Sequence, residues 1–362
     1  MNDEFIVKIP EHTPEDTPAA LLEESATAET PRASAAPQES ETKRAVTVVG
    51  AVTLVLMFVA SAGFTASYLY AASSTAPVAQ LPSSPEAAAA AVPSPNPFDA
   101  LDLQAEGIYV LDTTSNTVLF QRNANAQLPL ASITKVAMAL SVSEVLSPND
   151  IITIPYDTAP PGSVERLAKG EVWKESDVMT FTLVASSNAG ADILAAAADN
   201  GLHQKYPRSP ASGATLWRMN DLARQLHLTN TFFLNDNGLD ISTTQAGAYG
   251  SAHDIATLMA YAASTSLPIF EGTSRDGFLF TSINGSTTHA YNTDEALSSI
   301  PGLVMGKTGY TDLAGGNLAV VFDVAGHRVV AVVLHSTFDG RFDDMKKLVA
   351  TTEQVLGSNA AR

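Results

Sequence analysis

The stretch that most constrains the fold of this chain is an apolar segment, residues 127–146, that nevertheless contains a lysine. Its apolar residues recur at helical spacing in two stripes, with Ile133, Val136, Ala137 and Leu140 in one and Met138, Val142 and Val145 in the other. A helix that is apolar on nearly every face is usually buried. The polar residues around Pro148 end the run. We therefore predict a buried helix that begins near Ser132.

Ser132 and Lys135 are three residues apart at the start of this predicted helix. That spacing places both side chains on one face of the first turn. A buried ammonium is costly, but a neutral lysine amine can take the proton of a neighbouring serine and make its oxygen a nucleophile. The N–H groups of the first turn also favour negative charge that develops there. Ser-x-x-Lys is a weak motif alone, since it recurs at residues 40–43.

The first 97 residues differ in character from the rest of the chain. Residues 1–44 are rich in Glu, Thr, Pro, Ala and Ser, which predicts a disordered acidic tail. Residues 45–70 carry no charge and exceed the roughly 20 apolar residues that a transmembrane helix needs. Lys43 and Arg44 precede this span, and the next Lys or Arg is Arg122. The positive-inside rule predicts a single-pass protein of the cell membrane, with a cytoplasmic N-terminus and an extracytoplasmic C-terminal part.

A cleaved signal peptide is the alternative for the same span, with Ala-Ser-Ala at residues 60–62 as its cleavage site. The long acidic tail ahead of the span is a poor n-region for such a peptide, which favours the anchor. Residues 71–97 are dominated by Ala, Pro and Ser and are predicted to be an extended linker. Residues 98–362 are predicted to form a globular domain.

The pattern of this domain predicts a sheet built from both of its ends. Strand-like runs occur near its start and its end, at residues 107–112, 117–120, 317–323 and 329–334, with a shorter run at 151–154. Helical runs occupy residues 176–199 with a break at 186–188, 217–226, 252–263 and 341–356. Residues 200–214 are predicted to be a polar insertion. We expect an α/β (α+β) fold in which helices cover both faces of one sheet.

Composition excludes several classes of function. The net charge of −18 at pH 7 argues against nucleic acid as a partner. The chain has no cysteine, which excludes disulfides, thiolate metal sites, a cysteine nucleophile and a lipid-modified cysteine. The seven histidines do not have the spacing of a metal site. We therefore expect neither a metal nor another cofactor.

Two further short motifs follow Ser132-x-x-Lys135 along the chain, Ser186-Ser187-Asn188 and Lys307-Thr308-Gly309. Each is weak alone, but their order and their flanking residues are distinctive. From about residue 98 to residue 357 the chain resembles the D-alanyl-D-alanine carboxypeptidases, which are low-molecular-mass penicillin-binding proteins of the serine β-lactamase-like superfamily. The flanking matches lie within residues 129–135, 162–171, 219–220, 230–240, 292–311 and 341–348.

The resemblance implies a serine β-lactamase/transpeptidase-like fold with an antiparallel sheet, and it assigns catalytic roles. Ser132 would be the nucleophile that attacks the carbonyl between two D-alanines. Lys135 would be its general base, kept neutral by burial and by the second cation, Lys307. Ser186 would relay a proton to the departing D-alanine, and Asn188 would fix Lys135 and the substrate amide.

The resemblance also assigns substrate-binding roles. The backbone N–H groups of Ser132 and Tyr310 would form the oxyanion hole. Gly309 would allow a peptide to lie against its strand as an added strand. Thr308 and Arg341 would hold the terminal carboxylate. The implied activity is removal of the terminal D-alanine from peptidoglycan stem peptides through an acyl-enzyme, with β-lactams as covalent inhibitors.

The chain departs from the family pattern at four places. The family usually has a small residue where Ser187 stands, an Asp where Ala189 stands and a Pro where Asp236 stands, and residues 200–214 are additional. These differences concern loop geometry and fine specificity, and they leave the three motifs intact.

Other functions fit part of the same set of residues. A DD-endopeptidase of peptidoglycan cross-links would not need the carboxylate clamp, and a catalytically weak, membrane-tethered binder of wall peptides belongs to a different class. A class A β-lactamase would need a Glu-x-x-x-Asn pair, and neither Glu271 nor Glu295 has an Asn four residues on. Residues 302–308 nearly match a phosphate-binding loop, but one residue too few separates the glycines and a strand is predicted to follow.

Overall fold

A five-stranded antiparallel sheet combines strands from the two ends of the domain. The computed structural model describes residues 6–7 and 96–360. The strands are β1 (Ile6–Val7), β2 (Gly107–Asp112), β3 (Thr117–Arg122), β4 (Leu128–Pro129), β5 (Ile151–Thr153), β6 (Val172–Lys174), β7 (Phe232–Phe233), β8 (Ala248–Gly250), β9 (Gly277–Thr281), β10 (Thr287–Tyr291), β11 (Leu303–Thr311), β12 (Gly315–Val324) and β13 (His327–Ser336). The central sheet has the order β11-β12-β13-β2-β3. The prediction of one sheet assembled from both ends is confirmed.

The helices follow the predicted runs closely. They are α1 (Lys135–Val142), α2 (Glu175–Val184), α3 (Asn188–Lys205), α4 (Ala214–Gln225), α5 (Ala252–Thr265), α6 (Leu267–Phe270) and α7 (Gly340–Ala360). The break predicted at residues 186–188 separates α2 from α3. The predicted insertion needs a correction, since residues 200–205 continue α3 and only 206–213 connect it to α4.

The helix predicted to begin near Ser132 and to end before Ser147 is shorter than expected. Ser132 lies in a 3₁₀ turn, Ala131–Thr134, and α1 begins at Lys135 and ends at Val142. Ala131 has a φ of 46°, in the left-handed region, so the chain turns sharply before the helix starts. The predicted burial is confirmed, because every residue of α1 is buried.

Both faces of the central sheet are covered, which explains why β12 and β13 are almost continuously apolar. Leu318 and Val320 of β12 pack in the layer that contains α7. Ala319 and Val321 pack in the opposite layer, which contains α1 and α5. Because neighbours on a strand point to opposite faces, each residue of the edge strand β11 is assigned to one layer or the other by its position.

Three smaller sheets complete the described structure, with the orders β1-β5-β6, β4-β8-β7 and β10-β9. The first includes Ile6–Val7, from the segment predicted to be a disordered tail, which pairs in parallel with Ile151 and Ile152. No helix within residues 6–7 and 96–360 is long and apolar enough to cross a membrane. The predicted span, residues 45–70, lies outside the described residues, as do the rest of the tail and nearly all of the predicted linker.

Candidate active site

The first motif is assembled at the start of α1, where the amine of Lys135 meets the hydroxyl of Ser132. Lys135 Nζ lies 2.8 Å from Ser132 Oγ, 2.7 Å from Asn188 Oδ1 and 2.7 Å from the backbone oxygen of Asn237. A neutral amine has two hydrogens and one lone pair. If the two carbonyl oxygens accept those hydrogens, the lone pair remains to accept the hydroxyl hydrogen of Ser132. This is the arrangement that a general base requires.

The surroundings of Lys135 favour its neutral form. The side chain is fully buried, at 0% exposure, and this burial is the main cause that lowers its pKa well below the usual range of lysine. The positive charge of Lys307 lowers this pKa further, as predicted from the sequence, whereas the carboxylate of Asp192 opposes the shift.

The second motif lies at the junction of α2 and α3. Ser186 has a φ of 56°, a strained conformation for a residue with a side chain, which turns it out of the helical path. Ser187 caps α3 by accepting a hydrogen bond from Gly190 N at 3.1 Å, so this departure from the family pattern has a structural role. Asn188 is the first residue of α3 and reaches Lys135.

The third motif lies on β11 and contributes the second lysine. Lys307 Nζ donates a hydrogen bond to Ser186 Oγ at 2.9 Å and another to the backbone oxygen of Thr308 at 3.1 Å. The pKa of Lys307 is lowered to about 7, mainly by burial and also by the positive charge of Arg341, while Asp294 opposes the shift. The structure thus joins all three motifs, Ser132 to Lys135 to Asn188, and Ser186 to Lys307.

The fold itself requires glycine at position 309, independently of the predicted role of Gly309 in peptide binding. A Cβ at this position would lie 2.8 Å from the backbone oxygen of Leu130 and 3.2 Å from the backbone nitrogen of Ser132. Glycine is therefore needed because the nucleophile segment approaches β11 closely. The same contact brings the N–H of Ser132 next to the strand that carries the N–H of Tyr310, the two groups predicted to form the oxyanion hole.

Thr308 and Arg341 both lie on the side of β11 that faces α7. The Thr308 hydroxyl lies 2.6 Å from the hydroxyl of Thr293, and Arg341 Nη1 donates a hydrogen bond to the backbone oxygen of Gly309 at 3.2 Å. The Arg341 side chain is buried, its guanidinium lies 4.4 Å from the ring centre of Phe338, and its Nε has no hydrogen-bond partner among the described residues. Arg341 is thus held at β11 and is not a surface arginine of α7.

Several residues near the site are not marked by the three motifs. Asn237 contributes only a backbone oxygen to Lys135, which any residue type could supply, while its side chain donates to Asp192 Oδ1 at 2.8 Å. Burial raises the pKa of Asp236 to about 7, assisted by the charges of Asp199 and Asp192. Asp294 is buried beside Thr293 and carries an unpartnered oxygen. The only available sequence signal was the departure from the family pattern at Asp236.

No group of three or more His, Cys, Asp or Glu side chains in the described part of the chain could hold a metal ion.

The family model for D-alanyl-D-alanine carboxypeptidases matches residues 90–337. The D-alanyl-D-alanine carboxypeptidase DacF of Bacillus subtilis (strain 168) is 28% identical over 243 residues, which cover 64% of this chain and 57% of that protein. DacB2 of Mycobacterium tuberculosis is 28% identical over 236 residues, covering 65% of this chain and 76% of that protein. A D-alanyl-D-alanine endopeptidase of Pseudomonas aeruginosa is 30% identical over 155 residues, covering 41% and 47%. The chain thus matches about 57% of the length of its B. subtilis relative.

Solved structures agree with the fold. Penicillin-binding protein D2 from Listeria monocytogenes, in its ampicillin-bound form, superposes with a TM-score of 0.57 at 26% identity, covering 69% of this chain and 98% of that one. A Streptomyces K15 DD-transpeptidase variant superposes with a TM-score of 0.58 at 23% identity, covering 72% and 99%. The expected penicillin-binding-protein fold, with an antiparallel sheet between helical layers, is confirmed. Since the family model spans most of the chain and the three motifs converge at one site, this chain belongs to the D-alanyl-D-alanine carboxypeptidase family.

Proposed function

We propose that this chain is a serine-type D-alanyl-D-alanine carboxypeptidase, which removes the last D-alanine from peptidoglycan stem peptides. The observation that carries the proposal is the buried amine of Lys135, held 2.8 Å from Ser132 Oγ. A buried lysine that has no carboxylate of residues 6–7 and 96–360 within ion-pair distance is costly as a purely structural residue. Its position is explained if the neutral amine activates the serine.

Acylation begins when the Ser132 hydroxyl gives its proton to Lys135 and its oxygen bonds to the carbonyl carbon of the penultimate D-alanine. The N–H groups of Ser132 and Tyr310 stabilise the negative charge on the carbonyl oxygen, an effect worth about 3–4 kcal/mol per donor. The C–N bond then breaks, and the departing nitrogen takes the proton from Lys135 through the Ser186 hydroxyl. The products are an ester on Ser132, free D-alanine and a neutral Lys135.

Deacylation uses the same base. A water molecule loses one proton to Lys135 as its oxygen bonds to the ester carbonyl, and the proton passes to Ser132 Oγ as the ester breaks. The carboxylate of the shortened peptide is released and both residues return to their starting forms. A β-lactam acylates Ser132 by the first half of this sequence, since opening its ring breaks a C–N bond in the same position. Penicillin is therefore proposed as a covalent ligand.

Arg341 distinguishes a carboxypeptidase from a peptidase that acts within chains. Its guanidinium donates to the backbone oxygen of Gly309, the residue after Thr308, where the terminal carboxylate of a peptide laid along the strand would end. We expect Arg341→Gln to lower kcat/KM about 10-fold to 100-fold for a peptide ending in D-Ala-D-Ala, since charge-assisted hydrogen bonds contribute about 1.5–3 kcal/mol. Release of D-alanine is the measurement.

The control is the same peptide with a C-terminal amide, together with Arg341→Lys, which retains the charge. The wild-type protein should hydrolyse the amide slowly, and Arg341→Gln should lower kcat/KM for the amide only slightly further. An equal loss on both peptides would mean that Arg341 only supports the fold. The same assay tests the whole proposal, since wild-type protein that releases no D-alanine would disprove it.

A DD-endopeptidase is the second candidate, since the P. aeruginosa relative carries that name. It would release no D-alanine from stem peptides but would cleave cross-linked ones. The ordered contacts of Ser132, Lys135 and Lys307 favour turnover over a weak wall-peptide binder.

For the membrane, we propose a single N-terminal anchor over residues 45–70, with the catalytic domain extracytoplasmic. The uncharged span and the Lys43–Arg44 pair support it. Protease added to intact cells should degrade the catalytic domain and spare an N-terminal tag. The pairing of Ile6–Val7 with Ile151 and Ile152 makes the opposite prediction for this experiment. Pairing within one chain requires both segments to lie on the same side of the membrane, whereas the proposed orientation places them on opposite sides. Degradation of both ends, or of neither, would contradict the proposal.

A further inference from the structure

Asp294 is a buried carboxyl group beside the proposed carboxylate clamp, and no step of the mechanism uses it. Asp294 is only 6% exposed. The preceding residue, Thr293, contacts the hydroxyl of Thr308. One carboxyl oxygen, Oδ1, accepts a hydrogen bond from Ala296 N at 2.9 Å and shapes the local turn. The other, Oδ2, is buried and has no hydrogen-bond partner among the described residues. A buried polar atom without a partner calls for an explanation.

The unpartnered oxygen faces the clamp side of β11. Oδ2 lies 3.6 Å from the point where a Cβ of Gly306 would stand. Gly306 and Thr308 point to the same side of the strand, because they are two residues apart. Their cross-strand partners, Val320 and Leu318, pack in the layer that contains α7, on which Arg341 lies. Asp294, Thr308 and Arg341 therefore share one face of β11.

Three cations surround Asp294: Lys307 on β11, and Arg341 and Lys346 on α7. Burial is the main cause that raises the pKa of Asp294, to about 6, while these cations act in the opposite direction. The carboxyl is thus largely ionised at pH 7. Asp294 also raises the pKa of both Lys307 and Arg341, so it interacts with the second lysine of the site and with the arginine of the clamp.

A charge count shows the consequence. Lys346 is ion-paired with Asp343 at 3.5 Å, so the count concerns the pocket formed by the other three side chains. With Lys307 and Arg341 charged and Asp294 ionised, this pocket carries +1, from two positive charges and one negative. Binding of one carboxylate then brings it to zero. Without the charge of Asp294 the empty pocket would carry +2 and would attract the carboxylate more strongly, because charges interact strongly where water is excluded.

We propose that Asp294 is a specificity-determining residue that weakens the hold of the clamp on a terminal carboxylate, and so limits the preference of the site for free chain ends over amide-linked ones. The inference rests on the proposed carboxypeptidase function. Asp294 acts through Lys307 and Arg341 and does not touch the reacting atoms.

The test compares Asp294→Asn with Glu295→Gln, its matched control. Asparagine keeps the Oδ1 acceptor for Ala296 and removes only the charge. Glu295 is the next residue, is exposed, and raises the pKa of Arg341 more than Asp294 does, so its variant removes an equal but water-exposed charge that acts on the same guanidinium. For each protein we would measure kcat/KM on a D-Ala-D-Ala peptide and on its C-terminal amide. The ratio of the two should rise about fivefold in Asp294→Asn, equivalent to about 1 kcal/mol, and should rise clearly less in Glu295→Gln, because water and salt screen an exposed charge.

The pH dependence of this kcat/KM ratio is a second test, because a purely structural role of Asp294 would not change it. In the wild type the ratio should rise as the pH falls through about 6, where Asp294 becomes neutral. Asp294→Asn should lack this rise, while both proteins keep any change due to Lys307 near pH 7. Asp294→Ala, which also removes the turn acceptor, should give the same ratio as the asparagine variant.

An unchanged or lower ratio in Asp294→Asn, or an equal change in Glu295→Gln, would overturn the inference. So would a ratio that moves only in Asp294→Ala, because the structure of the turn would then be responsible. If the wild type hydrolyses neither peptide, the proposed function itself fails and the inference falls with it. If the wild type hydrolyses the peptides but the ratio of their kcat/KM values does not change in Asp294→Asn, only the proposed role of Asp294 is disproved.

Discussion

Ser132→Ala is expected to remain unlabelled by a fluorescent penicillin under conditions that label the wild-type protein fully. The nearest alternative acceptor, Ser186 Oγ, accepts a hydrogen bond from Lys307 Nζ and acts in the proposed mechanism as the proton relay, not as the nucleophile. Loss of a serine nucleophile that acts with its base typically costs about 10⁶-fold in rate. We expect a fall of at least about 10⁴-fold, measured by gel fluorescence and by the mass of the intact protein.

The variant should still fold. Ser132 is only partly buried, and Lys135 keeps two carbonyl partners, on Asn188 and Asn237. The matched control is Ser187→Ala, which removes a hydroxyl that caps α3. It should lose about 1 kcal/mol of stability and still be labelled. Label on Ser132→Ala, located by peptide mapping on another residue, would show that the nucleophile had been misassigned.

The assembly of the site could be predicted because its parts are short, ordered motifs. Asn188 lies 53 residues from Lys135, and Lys307 lies 121 residues from Ser186, yet both pairs are in hydrogen-bond contact. The sheet brings them together, and its strands are clear in the sequence because β12 and β13 are apolar on both faces. Long apolar strands and helices of strong periodicity are the features that a single sequence reveals most reliably.

Other features of the site could not be predicted because they depend on packing between distant segments. The carbonyl of Asn237 has no side-chain signature, and the need for glycine at Gly309 arises from the approach of Leu130. The sharp turn at Ala131 shortens α1 in a way that helical periodicity does not reveal. The burial of Asp294 likewise follows from how its loop lies against β11, since Asp is usually an exposed residue.

Lys135→Met is expected to lower the rate of penicillin acylation about 10²-fold to 10⁴-fold, the contribution of a general base. Methionine fills a similar volume but has no lone pair to accept the proton of Ser132. Lys205→Met, at a partly exposed ion pair with Glu144, is the control and should acylate normally. Stopped-flow acylation is the measurement. A wild-type rate in Lys135→Met would place the base elsewhere, with Lys307 as the remaining candidate.

Stability should report the same protonation state independently of catalysis. Burial depresses the folded-state pKa of Lys135, so the unfolded chain binds a proton that the folded chain releases. The contribution of Lys135 to the free energy of unfolding therefore rises with pH between its folded-state and unfolded-state pKa values, by at most about 1.4 kcal/mol per pH unit. Lys307 behaves in the same way, with a folded pKa of about 7. Between pH 8 and 10 the wild type should gain stability from both lysines and Lys135→Met from one. When both proteins are unfolded by urea at a series of pH values, the difference between their free energies of unfolding should therefore grow as the pH rises. If this difference stays constant, Lys135 is an ammonium in the folded protein and cannot act as the base.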